Sequence, residues 1–251
     1  MSSRGNKIAL AFMAHPDDAE ILCAGTLARL WRLGEWEIHI ATATAGDCGS
    51  MTMAPKEISK TRLAEARAAA GIIAATYHCL GERDGLVVYD KPAIRNAMEL
   101  FRAIGPSLVF THALRDYMMD HEAVAQLARA ASFLACAPNA STKPMRPGMK
   151  LPHLYYCDPI EAIDLRGNQV DYTTLVDITA VMDIKAKMLA AHASQREWLR
   201  AHHGMDEYID AMKRHGELRG KDRSAKYAEA FTQHRGHAYP KDDLLAELLE
   251  S

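Results

Sequence analysis

The chain has 251 residues, of which 49% are hydrophobic and 25% are charged. These values are ordinary for a globular protein and exclude disorder as the dominant state. The net charge is −2, and no apolar run reaches about 18 residues, so we expect neither a nucleic-acid partner nor a membrane span.

Residues 1–136 alternate between predicted strands and predicted helices. The strands are predicted at Lys7–Ala14, Trp36–Thr44, Thr76–Leu80 and Ser107–His112. The helices are predicted at Asp18–Leu33, Lys56–Ala75, Ala93–Ile104 and Asp120–Ala135. This alternation is typical of a doubly wound sheet. We therefore predict an α/β fold, with a Rossmann-like, mostly parallel sheet flanked by helices.

Residues 137–251 are predicted to be a C-terminal strand and helix extension that completes this fold. A proline-rich loop at 137–151 comes first. Strands are then predicted at His153–Cys157 and Asp171–Asp177, and helices at Ile178–His202, Asp206–His215 and Ala225–His234. Because no longer linker separates two cores, we predict a single domain over residues 1–251, with 1–136 as its core.

The five cysteines are widely spaced and form no CxxC pair, and the first residues show no signal-peptide pattern. Scattered free thiols are typical of a reducing compartment rather than of a disulfide framework. We therefore expect a cytoplasmic protein whose partner is a small molecule.

Four titratable side chains follow the first predicted strand within six residues, in the stretch His15-Pro16-Asp17-Asp18-Ala19-Glu20. In an open parallel sheet, ligands bind outside the carboxyl ends of the strands. Two adjacent carboxylates repel each other, and a cation between them relieves the repulsion. The alternative is that one aspartate only caps the following helix.

A second cluster follows the fourth predicted strand. It contains His112, Asp116, Asp120 and His121. The two strands can lie side by side in a parallel sheet. Together the clusters indicate a His/Asp/His metal site with an open position for water, which is typical of catalytic zinc.

The stretch His15–Glu20 resembles the HPDDxE motif of the PIG-L/LmbE-like N-deacetylases, and Asp116–His121 resembles their second motif. Weaker similarities to the family continue along the chain, at Thr44–Asp47, Arg62–Glu65, Arg83–Gly85 and Tyr227–Phe231. The resemblance implies a metal-dependent hydrolase that removes an N-acetyl group from an amino sugar, such as N-acetylglucosamine, or from a sugar conjugate.

By motif position, the resemblance implies that His15, Asp18 and His121 bind Zn²⁺, with Fe²⁺ or Mn²⁺ as alternative metals. It implies that Asp17 is the general base. Arg62 and Asp84 match positions that contact substrate hydroxyls in relatives. The resemblance also implies a homo-oligomer, a trimer or a hexamer. Apolar residues in the C-terminal region would supply its interface: Trp198, Leu199, Met205, Tyr208, Ile209 and Met212.

The chain departs from the family at Met118, where several members have a histidine that helps to stabilise the oxyanion. Methionine cannot donate a hydrogen bond. We expect His112 to take this role, with His192, Tyr117 or the metal alone as alternatives. Met118 itself is expected to form part of the pocket wall, and His192 is a further candidate for substrate binding.

Two other functions stay open. The first is an amidase that acts on another acylated amine or on a thiol conjugate. The second is a non-catalytic, Rossmann-like binding protein. Against the second, the turn after the first strand lacks GxGxxG, and its paired aspartates would repel a pyrophosphate.

Overall fold

The computed structural model describes residues 6–196 and 207–249. Its described part contains one seven-stranded sheet in the order β3-β2-β1-β4-β5-β7-β6. The strands are β1 Ile8–Met13, β2 Glu37–Thr44, β3 Thr76–Glu82, β4 Leu108–Thr111, β5 His153–Cys157, β6 Thr174–Asp177 and β7 Ala228–Gln233. Neighbours among β1 to β5 are parallel, and β7 is antiparallel to both β5 and β6. The predicted fold class is confirmed.

Helices cover both faces of this sheet. They are α1 Asp18–Leu22, α2 Ala24–Arg32, α3 Pro55–Gly71, α4 Lys91–Ile104, α5 Met119–Leu134, α6 Met182–Ala190, α7 Glu207–Gly220 and α8 Leu244–Leu249. Helices α4 and α5 pack on one face, and most of the others pack on the opposite face. No helix in the described residues is long and apolar enough to cross a membrane.

Strand β1 is buried on both faces, as its continuous apolar sequence predicts. Ile8, Leu10 and Phe12 belong to the core beneath α4 and α5. The alternate residues, from Ala9 to Met13, belong to the core on the other face. Because β1 pairs with both β2 and β4, the direction of winding reverses beside it. Ligands of open α/β sheets bind at this kind of switch point.

The helix predicted over Asp18–Leu33 is wrong in one respect, because it is broken at Cys23. The φ angle of Cys23 is −144°, so α1 ends there and α2 begins anew. The backbone N–H groups of Gly25 and Thr26 donate to the Glu229 carboxylate, at 2.9 and 2.7 Å. A long-range acceptor therefore caps the second helix.

The predicted helix at Ala225–His234 is wrong, because this segment forms strand β7. Its alanines and Glu229 favour a helix by intrinsic propensity. Pairing with β5 and β6 on both sides overrides that preference. The predicted helix Ile178–His202 is interrupted, since α6 ends at Ala190 and residues 193–196 are helical again; residues 197–202 lie outside the described residues.

The apolar residues proposed for an oligomer interface do not form an exposed patch where they are described. Tyr208 and Met212 are buried in the core, and Ile209 packs against it. Trp198, Leu199 and Met205 lie outside the described residues. The described members of this set therefore do not supply an interface. The strands of residues 137–251 join the same sheet as the core, and the single-domain division stays a prediction.

The buried ion pair between Glu229 and Lys185, 2.6 Å apart, should be important for stability. Glu229→Ala leaves the Lys185 charge buried without its partner, a change that costs about 3–5 kcal/mol. Urea unfolding measures this loss. Glu99→Ala, which breaks an exposed ion pair with Lys143, is the matched control and should have a far smaller effect. Equal losses in the two variants would contradict the account.

Candidate active site

Two loops at the carboxyl ends of neighbouring strands bring the predicted site residues together. His15, Asp17 and Asp18 follow β1, while His112 follows β4 and His121 lies in the first turn of α5. All five side chains are buried. The pairing of β1 with β4 therefore unites the two clusters, as the sequence predicted.

The two adjacent aspartates point in different directions. Asp17 has a φ of 102°, a conformation that costs a residue with a side chain about 1–3 kcal/mol. Asp18 faces the histidines, and its Oδ2 accepts a hydrogen bond from the backbone N–H of His15 at 2.7 Å. The partners of Asp17 are instead Arg62 and Tyr208. The strained turn therefore separates the two carboxylates.

Donor atoms of His15, Asp18 and His121 converge on one point. His15 Nδ1 lies 3.3 Å from Asp18 Oδ2, and His121 Nε2 lies 3.6 Å from Asp18 Oδ1. Nitrogen and oxygen ligands of a tetrahedral metal at about 2.1 Å are separated by about 3.4 Å. The spacing of the donor atoms therefore fits a divalent metal ion.

The far nitrogen of each imidazole is held by a carboxylate. Asp120 Oδ2 lies 3.1 Å from His15 Nε2, and Asp116 Oδ1 lies 2.9 Å from His121 Nδ1. This arrangement is common around metal-ligating histidines and directs the other nitrogen to the metal. His121 Nε2 is buried and has no hydrogen-bond partner among the described residues, as expected for an atom that binds a cation.

In the metal-free protein, the carboxylates and imidazoles of this cluster change one another's pKa values. Burial works against a charged imidazole, but the Asp18 and Asp120 carboxylates raise the pKa of His15 to about 10. In the same way, Asp18 and Asp116 raise the pKa of His121 to about 9 against the effect of burial. The neighbouring histidines hold the pKa of Asp18 well below its usual value, although burial opposes this.

His112 lies behind the candidate metal ligands. It is fully buried, and its ring stacks on that of His121 with centroids 3.9 Å apart. Its Nε2 accepts a hydrogen bond from the backbone N–H of Ala14 at 2.9 Å and lies 3.2 Å from Asp18 Oδ2. Burial and the nearby His121 lower the pKa of His112 to about 4, so the ring is neutral.

Asp17 has its own partners. The Tyr208 hydroxyl donates to Asp17 Oδ2 at 2.5 Å, and Arg62 Nη2 lies 3.2 Å from the same oxygen. Burial raises the pKa of the Asp17 carboxyl, while Arg62 works against this effect. A carboxylate with a raised pKa is better matched to proton transfer near neutral pH.

Arg62 is held in place by the loops that follow β1 and β2. Its Nη2 donates to the carbonyl oxygen of Pro16 at 2.6 Å. Gly46 has a φ of 75°, and a Cβ atom there would lie 2.6 Å from the guanidinium. The glycine of the Thr44–Asp47 stretch is therefore needed to admit Arg62.

A cavity of about 1050 Å³ opens above the cluster. Its walls include His15, Asp17, Asp18, Arg62, Asp84, Tyr117, Met118 and Tyr208, and it continues along α7 past Met212, His215 and Leu218. Asp84 Oδ1 is buried and finds no hydrogen-bond partner in the part of the chain that the structure describes, which suits contact with a substrate. His112 and His192 do not line the cavity. His192 is buried behind Asp17, where its Nε2 lies 3.5 Å from Glu20 Oε1.

The charged groups around the cavity do not favour a strongly anionic ligand. Its described walls carry the five carboxylates Asp17, Asp18, Asp84, Glu161 and Glu217 and the three cations Arg62, Arg214 and Lys221. A divalent metal at the histidine cluster would bring this balance close to neutral. A ligand with little net charge is therefore favoured.

Tyr208 was not recognised as a site residue from the sequence. It lies in α7, far along the chain from Asp17, and the sequence offers only an aromatic residue in an amphipathic segment. The contact depends on how α7 packs against α6 and β7, which no local pattern specifies.

The chain is similar both to a family model named for a deacetylase and to a hydratase. Residues 10–132 match the family model PIG-L, described as GlcNAc-PI de-N-acetylase. Over 200 residues, the chain is 27% identical to a 4-oxalmesaconate hydratase of Pseudomonas putida, covering 75% of this chain and 74% of the relative.

Solved structures share the fold across almost the whole chain. The 4-carboxy-2-hydroxymuconate hydratase of Pseudomonas putida KT2440 has a TM-score of 0.76 at 23% identity, covering 94% of this chain and 100% of that one. The N,N'-diacetylchitobiose deacetylase of Pyrococcus horikoshii has a TM-score of 0.77 at 21% identity, covering 95% and 88%. At these identities the likeness shows the fold alone.

Metal binding should release protons. In the metal-free protein near pH 7.5, His15 and His121 are protonated because their pKa values are raised to about 10 and 9. Metal ligation requires the neutral imidazoles, so we expect release of about two protons per metal ion. The number should fall, and the affinity should rise, as the pH approaches 10.

Calorimetry of metal binding in buffers of different ionisation enthalpy measures this release. His121→Ala is the comparison and should release about one proton with weaker binding. Metal binding without proton release near pH 7.5 would contradict the assignment of the two histidines.

Proposed function

We propose, from the match of residues 10–132 to the PIG-L family model, that the protein is a zinc-dependent hydrolase that removes an acetyl group from the nitrogen of an amino sugar or sugar conjugate. The observation that carries the proposal is the convergence of His15, Asp18 and His121 donors beside a separate, buried Asp17 carboxylate. Other acylated amines belong to the same reaction class.

In this proposal His15, Asp18 and His121 hold the zinc ion. When bound there, zinc supplies a Lewis acid that acidifies water and polarises the acetyl carbonyl. Asp17 Oδ1, which has no partner among the described residues, takes the proton of the attacking water and passes it to the leaving amine. Asp84 binds a substrate hydroxyl, Arg62 holds Asp17 and borders the substrate, and Met118 forms an apolar wall.

The oxyanion needs a donor, because Met118 has none. We propose that His112, which stacks behind His121 and does not line the cavity, supports the oxyanion indirectly by holding His121 in place, because a direct donor must lie about 3 Å from the oxyanion. Tyr117 is the alternative that lines the cavity, and a phenol is protonated at neutral pH and can donate a hydrogen bond. His192 lies near Asp17 and is the third candidate.

A second candidate reaction is the addition of water to a carbon–carbon double bond. It is favoured by the similarity to a hydratase over 75% of the chain. A metal and a carboxylate base would serve that reaction as well. The mixed charge of the cavity walls is less suited to a substrate with several carboxylates, and for this reason we place amide hydrolysis first.

Acetate release from N-acetylglucosamine conjugates by the zinc-loaded protein tests the proposal. Asp17→Asn removes the base, and we expect turnover to fall by about 10²–10⁴-fold. Consumption of an unsaturated hydroxy acid without acetate release from any N-acetylated compound would favour the hydratase. Full turnover in Asp17→Asn would contradict the role of Asp17.

His112→Ala separates the candidate donors. If His112 stabilises the oxyanion, turnover should fall by about 10²–10³-fold while the metal and the substrate affinity are retained. Tyr117→Phe is the matched comparison and should then have little effect. The reverse result would assign the role to Tyr117, and loss of the metal in His112→Ala would make this residue a support of the metal site.

We also propose a homo-oligomer, a trimer or a hexamer. Support comes from the loops around the cavity mouth, where Met119, Tyr117 and Leu86 are 75, 66 and 65% exposed. Exposed apolar residues that cluster on one surface are typical of interfaces. Light scattering measures the assembly, and a mass of about 28 kDa at micromolar concentration would contradict it.

A further inference from the structure

Tyr208 connects α7 to the candidate base. Its hydroxyl donates to Asp17 Oδ2 at 2.5 Å across 191 positions of the chain. The side chain is buried and forms part of the cavity wall. Burial and the Asp17 carboxylate raise the pKa of this phenol well above its usual value, so the hydroxyl stays a donor.

A hydrogen bond from Tyr208 and an ion pair with Arg62 meet at the same oxygen of Asp17. Arg62 Nη2 lies 3.2 Å from the oxygen that accepts from Tyr208. Arg62 and Tyr208 come from α3 and α7, which approach Asp17 as separate elements. These two contacts on Oδ2 restrict the rotation of the carboxyl group. Oδ1 is left without a hydrogen-bond partner among the described residues. The orientation of the carboxylate is therefore determined from outside its own loop.

The backbone of Asp17 needs this support. Its φ of 102° is unfavourable for a residue with a side chain, and such strain persists only where surrounding contacts over-determine the conformation. The Asp17 side chain does not cap its own helix, since α1 has no side-chain cap hydrogen bond. The long-range contacts to Arg62 and Tyr208 are therefore the side-chain interactions that hold it.

Tyr208 supplies a contact that Arg62 cannot replace. The Arg62 guanidinium is shared with the carbonyl oxygen of Pro16 and enclosed by Gly46 and Gly49. The Tyr208 ring is anchored with Met212 in the hydrophobic core. The position of its hydroxyl is thus set by the packing of α7, independently of the loop that holds Arg62.

We infer that Tyr208 is a positioning residue, which holds the Asp17 carboxylate in its productive orientation and acts on turnover only through Asp17. The inference rests on the proposed role of Asp17 as the base. It makes the C-terminal extension a part of the reaction machinery, because α7 carries the tyrosine.

A double-mutant cycle tests the inference with Tyr208→Phe, Asp17→Ala and the double variant, each loaded with zinc. In the wild-type background, Tyr208→Phe should lower kcat by about 10–100-fold, the usual effect of a hydrogen bond to a charged group. KM and metal content should not change. In the Asp17→Ala background, the same substitution should have no further effect on kcat.

Tyr239→Phe is the matched control. It also removes the hydroxyl of a buried tyrosine, one that donates to the backbone carbonyl of Arg129 at 3.0 Å, and it lies in the core on the other face of the sheet. It should leave kcat unchanged. An equal fall in kcat in Tyr239→Phe would show that loss of any buried tyrosine hydroxyl lowers activity through a general loss of packing. That result would overturn the inference.

Two further outcomes would overturn it. An unchanged kcat in Tyr208→Phe would show that Tyr208 does not position Asp17. An equal fall in kcat on Tyr208→Phe in the wild-type and Asp17→Ala backgrounds would mean that the phenol acts directly on the substrate. Full activity in Asp17→Ala would instead overturn the proposed function.

A second cycle needs no turnover, so the contact is tested even if no substrate is hydrolysed. Urea unfolding of the metal-free proteins should give destabilisations by Tyr208→Phe and Asp17→Ala that do not add in the double variant. Additive values would show that the two side chains do not interact.

Discussion

The left-handed backbone of Asp17 is the constraint on which the rest of the site depends. The φ of 102° at Asp17 turns the two consecutive side chains apart. Asp18 faces three histidines, and Asp17 faces Arg62 and Tyr208. Regular geometry would leave two like charges competing for one environment, and burial would penalise both. Once they are separated, one carboxylate can serve a metal while the other keeps an oxygen available for proton transfer.

The surrounding loops support this separation from several directions. Asp120, which holds His15, accepts hydrogen bonds from the backbone N–H groups of Gly85 and Val87 at 2.6 and 3.1 Å. The loop after β3 therefore orients a histidine that follows β1. Asp116 orients His121 from within the same loop and α5 region. The carboxylate that holds His15 is thus positioned by a distant loop, whereas the carboxylate that holds His121 is local to it.

The sequence was sufficient for the features that depend on local pattern. The buried run Ile8–Met13 identifies β1, and the titratable residues after β1 and β4 identify the candidate site because parallel strands end at one edge. Features that depend on distant packing were not accessible. The sequence predicts a helix at Ala225–His234, where β7 forms, because the partners β5 and β6 are not local, and it groups Tyr208 with apolar residues. The roles assigned to the individual site residues stay predictions.

The central claim is that the adjacent aspartates have different tasks, and metal content tests it most directly. Wild type, Asp17→Asn and Asp18→Asn are purified in parallel, loaded with zinc, desalted and assayed by mass spectrometry, with thermal unfolding to establish that each is folded. The account predicts about one zinc per chain in wild type and Asp17→Asn, and a loss of most of the zinc in folded Asp18→Asn. Retention of zinc by Asp18→Asn together with its loss from Asp17→Asn would contradict it.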